Sequence, residues 1–178
     1  MQNLITQPDE RLNAREFRGG KYLSGRSVKE CAACIRTDLK EAVKTGKLPQ
    51  GKYSVVMRHH HAITVTLSDL QFVTLNRARV ALQSAFPNLY PPNDSRLCVY
   101  SAMGKALMER VESMVNAYQR DDSDVQSDYF DVNFYEDVKY DWEWEKGQRS
   151  AIEAQEKACP RYEFNVKDGS LVNWSEKA

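Results

Sequence analysis

Val28, Cys31, Ala32, Ile35, Leu39, Ala42 and Val43 recur at three- and four-residue intervals, the stripe of a helix with one apolar face. Soon after the last of them the period drops to two. Tyr53, Val55 and Met57 alternate with their neighbours, and so do Ile63, Val65 and Leu67. A helix that must bury one face, followed at once by two half-buried strands, has few solutions. The strands pair as a hairpin and the helix lies across their apolar side, which is an α+β arrangement. Ser24 or Ser27 caps the helix start, and Gly46 and Pro49 stop it. The turn falls on His59-His60-His61, without the glycine of the tightest hairpin turns, so a looser connection is expected.

A second helical stripe follows Ser101, where Met103, Leu107, Val111, Met114 and Tyr118 keep the period until Arg120. A third alternating run is unusually long. Val132, Phe134, Val138, Tyr140, Trp142 and Trp144 fall on one side of it, and Tyr135, Asp137, Asp141, Glu143 and Glu145 on the other. The expected fold is therefore a two-layer α+β sandwich. Its antiparallel sheet is built from segments 53–58, 62–67 and 132–140 and covered by helices 27–44 and 102–119.

Residues 1–20, ending in Gly19-Gly20, read as a flexible arm, and 21–145 as the α+β domain. Residues 68–100 read as an insertion with a helix around Arg77–Ala85, interrupted by Pro87, Pro91 and Pro92. Residues 146–178 read as a docked appendage, a short helix from Gln148 to Ala158 and a hairpin around Asp168-Gly169. A chain of 178 residues can bury one such core without staples.

Lysine and arginine number 25, as do aspartate and glutamate, so no bulk charge points to nucleic acid or membrane. The distribution is uneven, however. Residues 1–60 carry 12 basic against 6 acidic side chains, and residues 121–178 carry 7 against 15. No apolar run of about 18 residues and no charged-then-apolar leader is present, which leads us to expect a cytoplasmic protein with no membrane partner. Cys31, Cys34, Cys98 and Cys159 are too few and too scattered for a disulfide framework and read as reduced thiols.

Each motif with chemical potential has a plainer reading. Cys31 and Cys34 have the CxxC spacing but lack a second ligand pair, so Cys31 is expected in the helix core. The three histidines read as a polar turn in which only His59 and His61 would converge. Asp122, Asp124, Gln126 and Asp128 match the alternation of a calcium loop, but Ser127 stands where the bend needs glycine and Asn133 where glutamate closes the site. No catalytic residue, cofactor or metal ligand is assigned.

Two surfaces remain. The first is acidic and aromatic: Asp124, Asp128, Asp131, Asp137, Asp141, Trp142, Glu143, Trp144 and Glu145, a combination suited to docking a host protein or complex with a basic surface. The second is the basic cluster Arg11, Arg15, Arg18, Lys21, Arg26 and Lys29, which would serve a nucleic-acid-binding accessory module.

Val111-Glu112-Ser113-Met114-Val115-Asn116-Ala117-Tyr118, followed by the acidic segment with Ser123-Asp124, Ser127-Asp128-Tyr129-Phe130-Asp131 and Phe134-Tyr135, resembles a large polyvalent protein-associated domain, the twenty-ninth of that series. Lys21-Tyr22-Leu23-Ser24, Ile35-Arg36-Thr37-Asp38-Leu39-Lys40, Tyr53-Ser54-Val55 and Ile63-Thr64-Val65 are also similar to that family. The likeness spans about two thirds of the chain, and the histidine turn, segment 68–100 and the tail beyond 146 depart from it. The resemblance implies a small α+β module of phage or plasmid proteins with no catalytic residue to carry over. The leading expectation is thus a non-enzymatic interaction protein of a mobile element. It would act as an inhibitor of a host nucleic-acid-targeting defence complex, of anti-CRISPR or anti-restriction type.

Overall fold

The computed structural model describes residues 17–90, 99–123, 129–158, 162–164 and 171–173. Its elements run β1 (Phe17–Arg18), α1 (Val28–Lys44), β2 (Lys52–Arg58), β3 (Ala62–Ser68), α2 (Arg77–Ala85), α3 (Ala102–Asn116), β4 (Arg120–Asp121), β5 (Tyr135–Tyr140), α4 (Trp142–Ala158), β6 (Tyr162–Phe164) and β7 (Leu171–Asn173). The fold is α+β. No helix among the described residues is long and apolar enough to cross a membrane.

Ser27 starts α1 with a capping box. Its hydroxyl accepts from the Glu30 backbone N–H, and the Glu30 carboxylate accepts from the Ser27 N–H at 2.8 Å, so two donors of the open first turn are satisfied together. Gly46, at φ +72°, takes the left-handed conformation that lets the chain leave the helix. β2 and β3 pair antiparallel, with Val55 opposite Val65 and Arg58 opposite Ala62.

β5 joins the other side of β3 in parallel, not antiparallel, so the three-stranded sheet in the order β2-β3-β5 is mixed. The fully antiparallel sheet expected from sequence is corrected here. Parallel neighbours need a long crossover, and the segment between β3 and β5, which carries α2 and α3, supplies it. That segment is therefore the connection the sheet requires and no mere insertion.

The main core joins Cys31, Ile35 and Leu39 of α1, Leu107, Val111 and Val115 of α3, and Val55, Ile63, Val65, Leu67, Val138 and Tyr140 of the sheet. Of the expected α3 stripe, Leu107, Val111 and Tyr118 lie in the core and Met114 packs against it, whereas Met103 does not. Gly104 lies so close to Thr74 that an added Cβ would stand 2.5 Å from its carbonyl oxygen, which turns Gly104, Leu107, Val111 and Val115 inward. Met103 is left 62% exposed. A smaller core of Leu75, Val80 and Ile152 ties α2 to α4.

The N-terminal boundary also moves. Phe17 and Arg18 pair with Asp121 and Arg120, so residues 17–20 belong to the domain and the expected arm does not extend through Gly20. Gly19 packs where a Cβ would meet the Asn116 carbonyl oxygen at 2.1 Å. Residues 1–16 of that expected arm lie outside the described residues. The C-terminal hairpin is present as antiparallel β6 and β7, with Glu163 opposite Val172.

Candidate binding surface

Side chains alternate across a strand, so the register divides the sheet into two faces. On one, the rows Val55–Val65–Val138 and Tyr53–Leu67–Tyr140 point into the core with the helices. The other carries the rows Arg58–Ala62–Tyr135, Val56–Thr64–Asp137 and Ser54–Thr66–Lys139, with Lys52 beside Ser68 at the far end. Lys52, Val56, Arg58, Tyr135, Asp137 and Lys139 on this second face are all exposed, Tyr135 to 53%. The sheet thus offers water an aromatic ring, a valine and three cations.

Asp137 is the face's single described carboxylate, and it is paired with Lys139 across the surface. The Tyr135 ring meets the edge of His61 with centroids 6.2 Å apart and an 87° interplanar angle, and its backbone N–H donates to the His61 carbonyl at 2.9 Å. Arg36 of α1 donates to the Val55 carbonyl at 2.8 Å, covering part of the outer strand.

The acidic surface expected from sequence is rearranged. Asp141 ends the strand: its carboxylate accepts from the Trp144 N–H at 3.1 Å and its carbonyl from the Glu145 N–H at 2.9 Å, so Trp142 opens α4. An aspartate at the cap and glutamates 143 and 145 in the first turn are what a helix N-terminus favours. Trp142, Glu143, Trp144 and Glu145 therefore do not continue a strand face with Asp137. Trp144 turns half-buried against Tyr140, with ring centroids 5.9 Å apart, and Glu145 accepts from the Tyr100 hydroxyl at 3.4 Å. Trp142, 70% exposed with Lys146 over its ring, and exposed Glu143 stay on the outside.

Asp131 is held by the Arg120 guanidinium, which also donates to Asp122 at 2.7 Å. The hydrogen bonds of Asp131, opposed by burial, and then that of Asp122 hold the Arg120 charge firmly in place. Asp124 and Asp128, with the calcium-like pattern they belong to, lie outside the described residues. Much of the acid in this segment is thus internally compensated.

The basic alternative is also partly used inside the fold. Arg18 approaches Asp122 at 3.7 Å, Lys21 pairs with Asp38, and Lys21 and Arg26 sit over the Tyr118 ring at 5.5 and 5.6 Å. Lys29 is exposed on α1. Arg11 and Arg15 lie outside the described residues. Cys31 is buried in the main core, and burial pushes its thiol pKa up.

Sequence reasoning passed over Lys52, Val56, Arg58 and Lys139. The signal was present in β2, where Lys52, Ser54, Val56 and Arg58 occupy the positions between the core-facing Tyr53, Val55 and Met57. No protein-family model, curated protein or solved structure matches the chain, so the functional reading stands on this geometry.

Proposed function

We propose that the chain is a non-enzymatic module that binds single-stranded nucleic acid on the open face of the β2-β3-β5 sheet. The observation that carries the reading is the exposed Tyr135 ring on a sheet face with Lys52, Arg58 and Lys139. A flat aromatic offers every base a stacking partner, and cations around it track the backbone, the combination that sequence-tolerant single-strand binders use. Duplex is a poorer fit, because its bases are stacked on one another and give Tyr135 no free face. This reading puts the nucleic-acid surface on the sheet, where the sequence pointed to the N-terminal cluster. Titration of a fluorescent single-stranded oligonucleotide against the protein tests this: saturable, salt-sensitive binding that Tyr135→Ala weakens is expected, and binding indifferent to that change rejects it.

A second reading keeps the protein partner, favoured by one observation: Trp142 is 70% exposed beside exposed Glu143 at the start of α4. A solvated tryptophan next to a carboxylate suits a protein hot spot facing a basic surface, such as that of a host nucleic-acid-targeting complex. Trp142→Ala combined with Glu143→Lys would abolish docking of such a partner, whereas unchanged co-purification would remove this reading. The phage or plasmid origin implied by the family resemblance, and the cytoplasmic setting expected from the sequence, are proposed together with either partner.

A further inference from the structure

The turn between β2 and β3 is built at an energetic cost. His61 N–H donates to the Arg58 carbonyl at 3.2 Å, and His59 and His60 between them take φ values of +49° and +64°. Left-handed backbone is unfavourable for an L-residue, and hairpins ordinarily place asparagine and glycine at such positions. Strain of this kind gathers where a geometry is used.

Its product is a pair of imidazoles. The rings of His59 and His61 lie nearly parallel, with an interplanar angle of 28° and centroids 6.1 Å apart, and both residues are exposed. The Tyr135 ring meets His61 in an edge contact. His60, between them, has no ring contact of this kind among the described residues. The two outer histidines are therefore presented together while the middle one is not.

We propose that His59 and His61 form a two-imidazole site for a divalent first-row transition ion. Neutral imidazole is a common ligand of such ions, and a ring nitrogen binds at about 2.0–2.1 Å. Two rings chelating one tetrahedral ion have centres roughly 5 Å apart and each ring plane passes through the ion, so the stacked pair must draw together and turn its ring nitrogens to a common point, which exposed side chains do by rotation about χ angles. No group of three or more histidine, cysteine or acidic side chains among the described residues has the geometry to hold a metal, so water completes the shell. With two nitrogen donors and open positions, the order of affinity follows the usual divalent series, copper first and nickel and zinc weaker. This inference rests on the turn and its contact with Tyr135, and it holds whether or not the sheet binds nucleic acid.

Calorimetric titration of the full chain with Cu²⁺, Ni²⁺ and Zn²⁺ tests it. One equivalent of Cu²⁺ is expected to bind, and His59→Ala and His61→Ala are each expected to lower its affinity by about tenfold or more, since loss of even an outer-shell partner costs that much. His60→Ala is expected to leave the affinity within about twofold of the native value, and His60→Gly to raise Tm while keeping the ion, because glycine relieves the left-handed position. Thermal melts confirm that each variant is folded. If His60→Ala weakens Cu²⁺ as much as either neighbour, or if the double replacement of His59 and His61 leaves binding unchanged, the site does not exist.

Discussion

Replacing Asp137 by asparagine should strengthen single-strand binding, although it touches no residue assigned to contact a base. Asp137 and Lys139 pair on the open face with side chains 48% and 53% exposed. Exposed pairs of this kind are worth about 0.2–1 kcal/mol, and in the native protein that pairing holds Lys139 back from a phosphate. Removing the carboxylate returns that energy to the complex, a gain of roughly 1.4- to 5-fold in affinity. Asparagine keeps the shape, so the melting temperature should stay nearly unchanged.

The salt dependence is the sharper readout. With Lys52 and Arg58 engaged, log affinity falls with log salt at a slope of about −1.4, and freeing Lys139 moves it to about −2.1. Between about 50 and 200 mM salt, the native protein should lose roughly 7-fold in affinity and Asp137→Asn roughly 18-fold. Fluorescence anisotropy with a short labelled oligo(dT) measures both. An unchanged slope, or a weaker complex at low salt, would refute the assignment of Lys139 to the binding face.

Further expectations follow from the same structure. Tyr135→Ala should cost about 1–3 kcal/mol of single-strand binding if one base stacks on the ring, while Trp142→Ala leaves that binding unaltered; both are read in the same titration. Phe134→Ala, at a fully buried position, should destabilise the fold by about 3–5 kcal/mol in urea unfolding. Gly19→Ala should lower Tm and loosen β1, because the new methyl meets the Asn116 and Ala117 carbonyls at 2.1 and 2.4 Å. At Asp38, burial works to raise the carboxyl pKa, but hydrogen bonds from Lys21 and from Tyr118 hold it below the ordinary value. A depressed folded pKa adds stability that is present above the unfolded value of about 3.9 and is lost as pH falls through the folded one. Asp38→Asn should therefore lower stability near neutral pH and flatten the acid limb of a melting profile.

Local periodicity made α1, the β2–β3 hairpin, α2 and the terminal hairpin readable, because each is specified by neighbours in sequence and ends at a cap or a turn. The α1 stripe and the Ser27 cap are examples. Three things were not legible. Parallel pairing of β5 depends on the path of the crossover, which alternation does not encode. The end of β5 was hidden because Tyr140, Trp142 and Trp144 alternate as a strand does, while Asp141 supplies the competing helix cap three residues before Trp144. That one cap removed the extended acidic face. The open sheet face escaped notice because its residues are separated in sequence and meet only through the register that sets Arg58, Ala62 and Tyr135 abreast.

The most direct measurement is the anisotropy of labelled single strand and of the matching duplex titrated with the native protein, beside a variant carrying Arg58→Ala, Tyr135→Ala and Lys139→Ala. The open-face account predicts saturable binding that prefers the single strand, weakens with salt and is lost in the triple variant while its melt stays cooperative. Absence of saturable binding at about 50 mM salt, or equal binding by the native and triple-variant proteins, would contradict it.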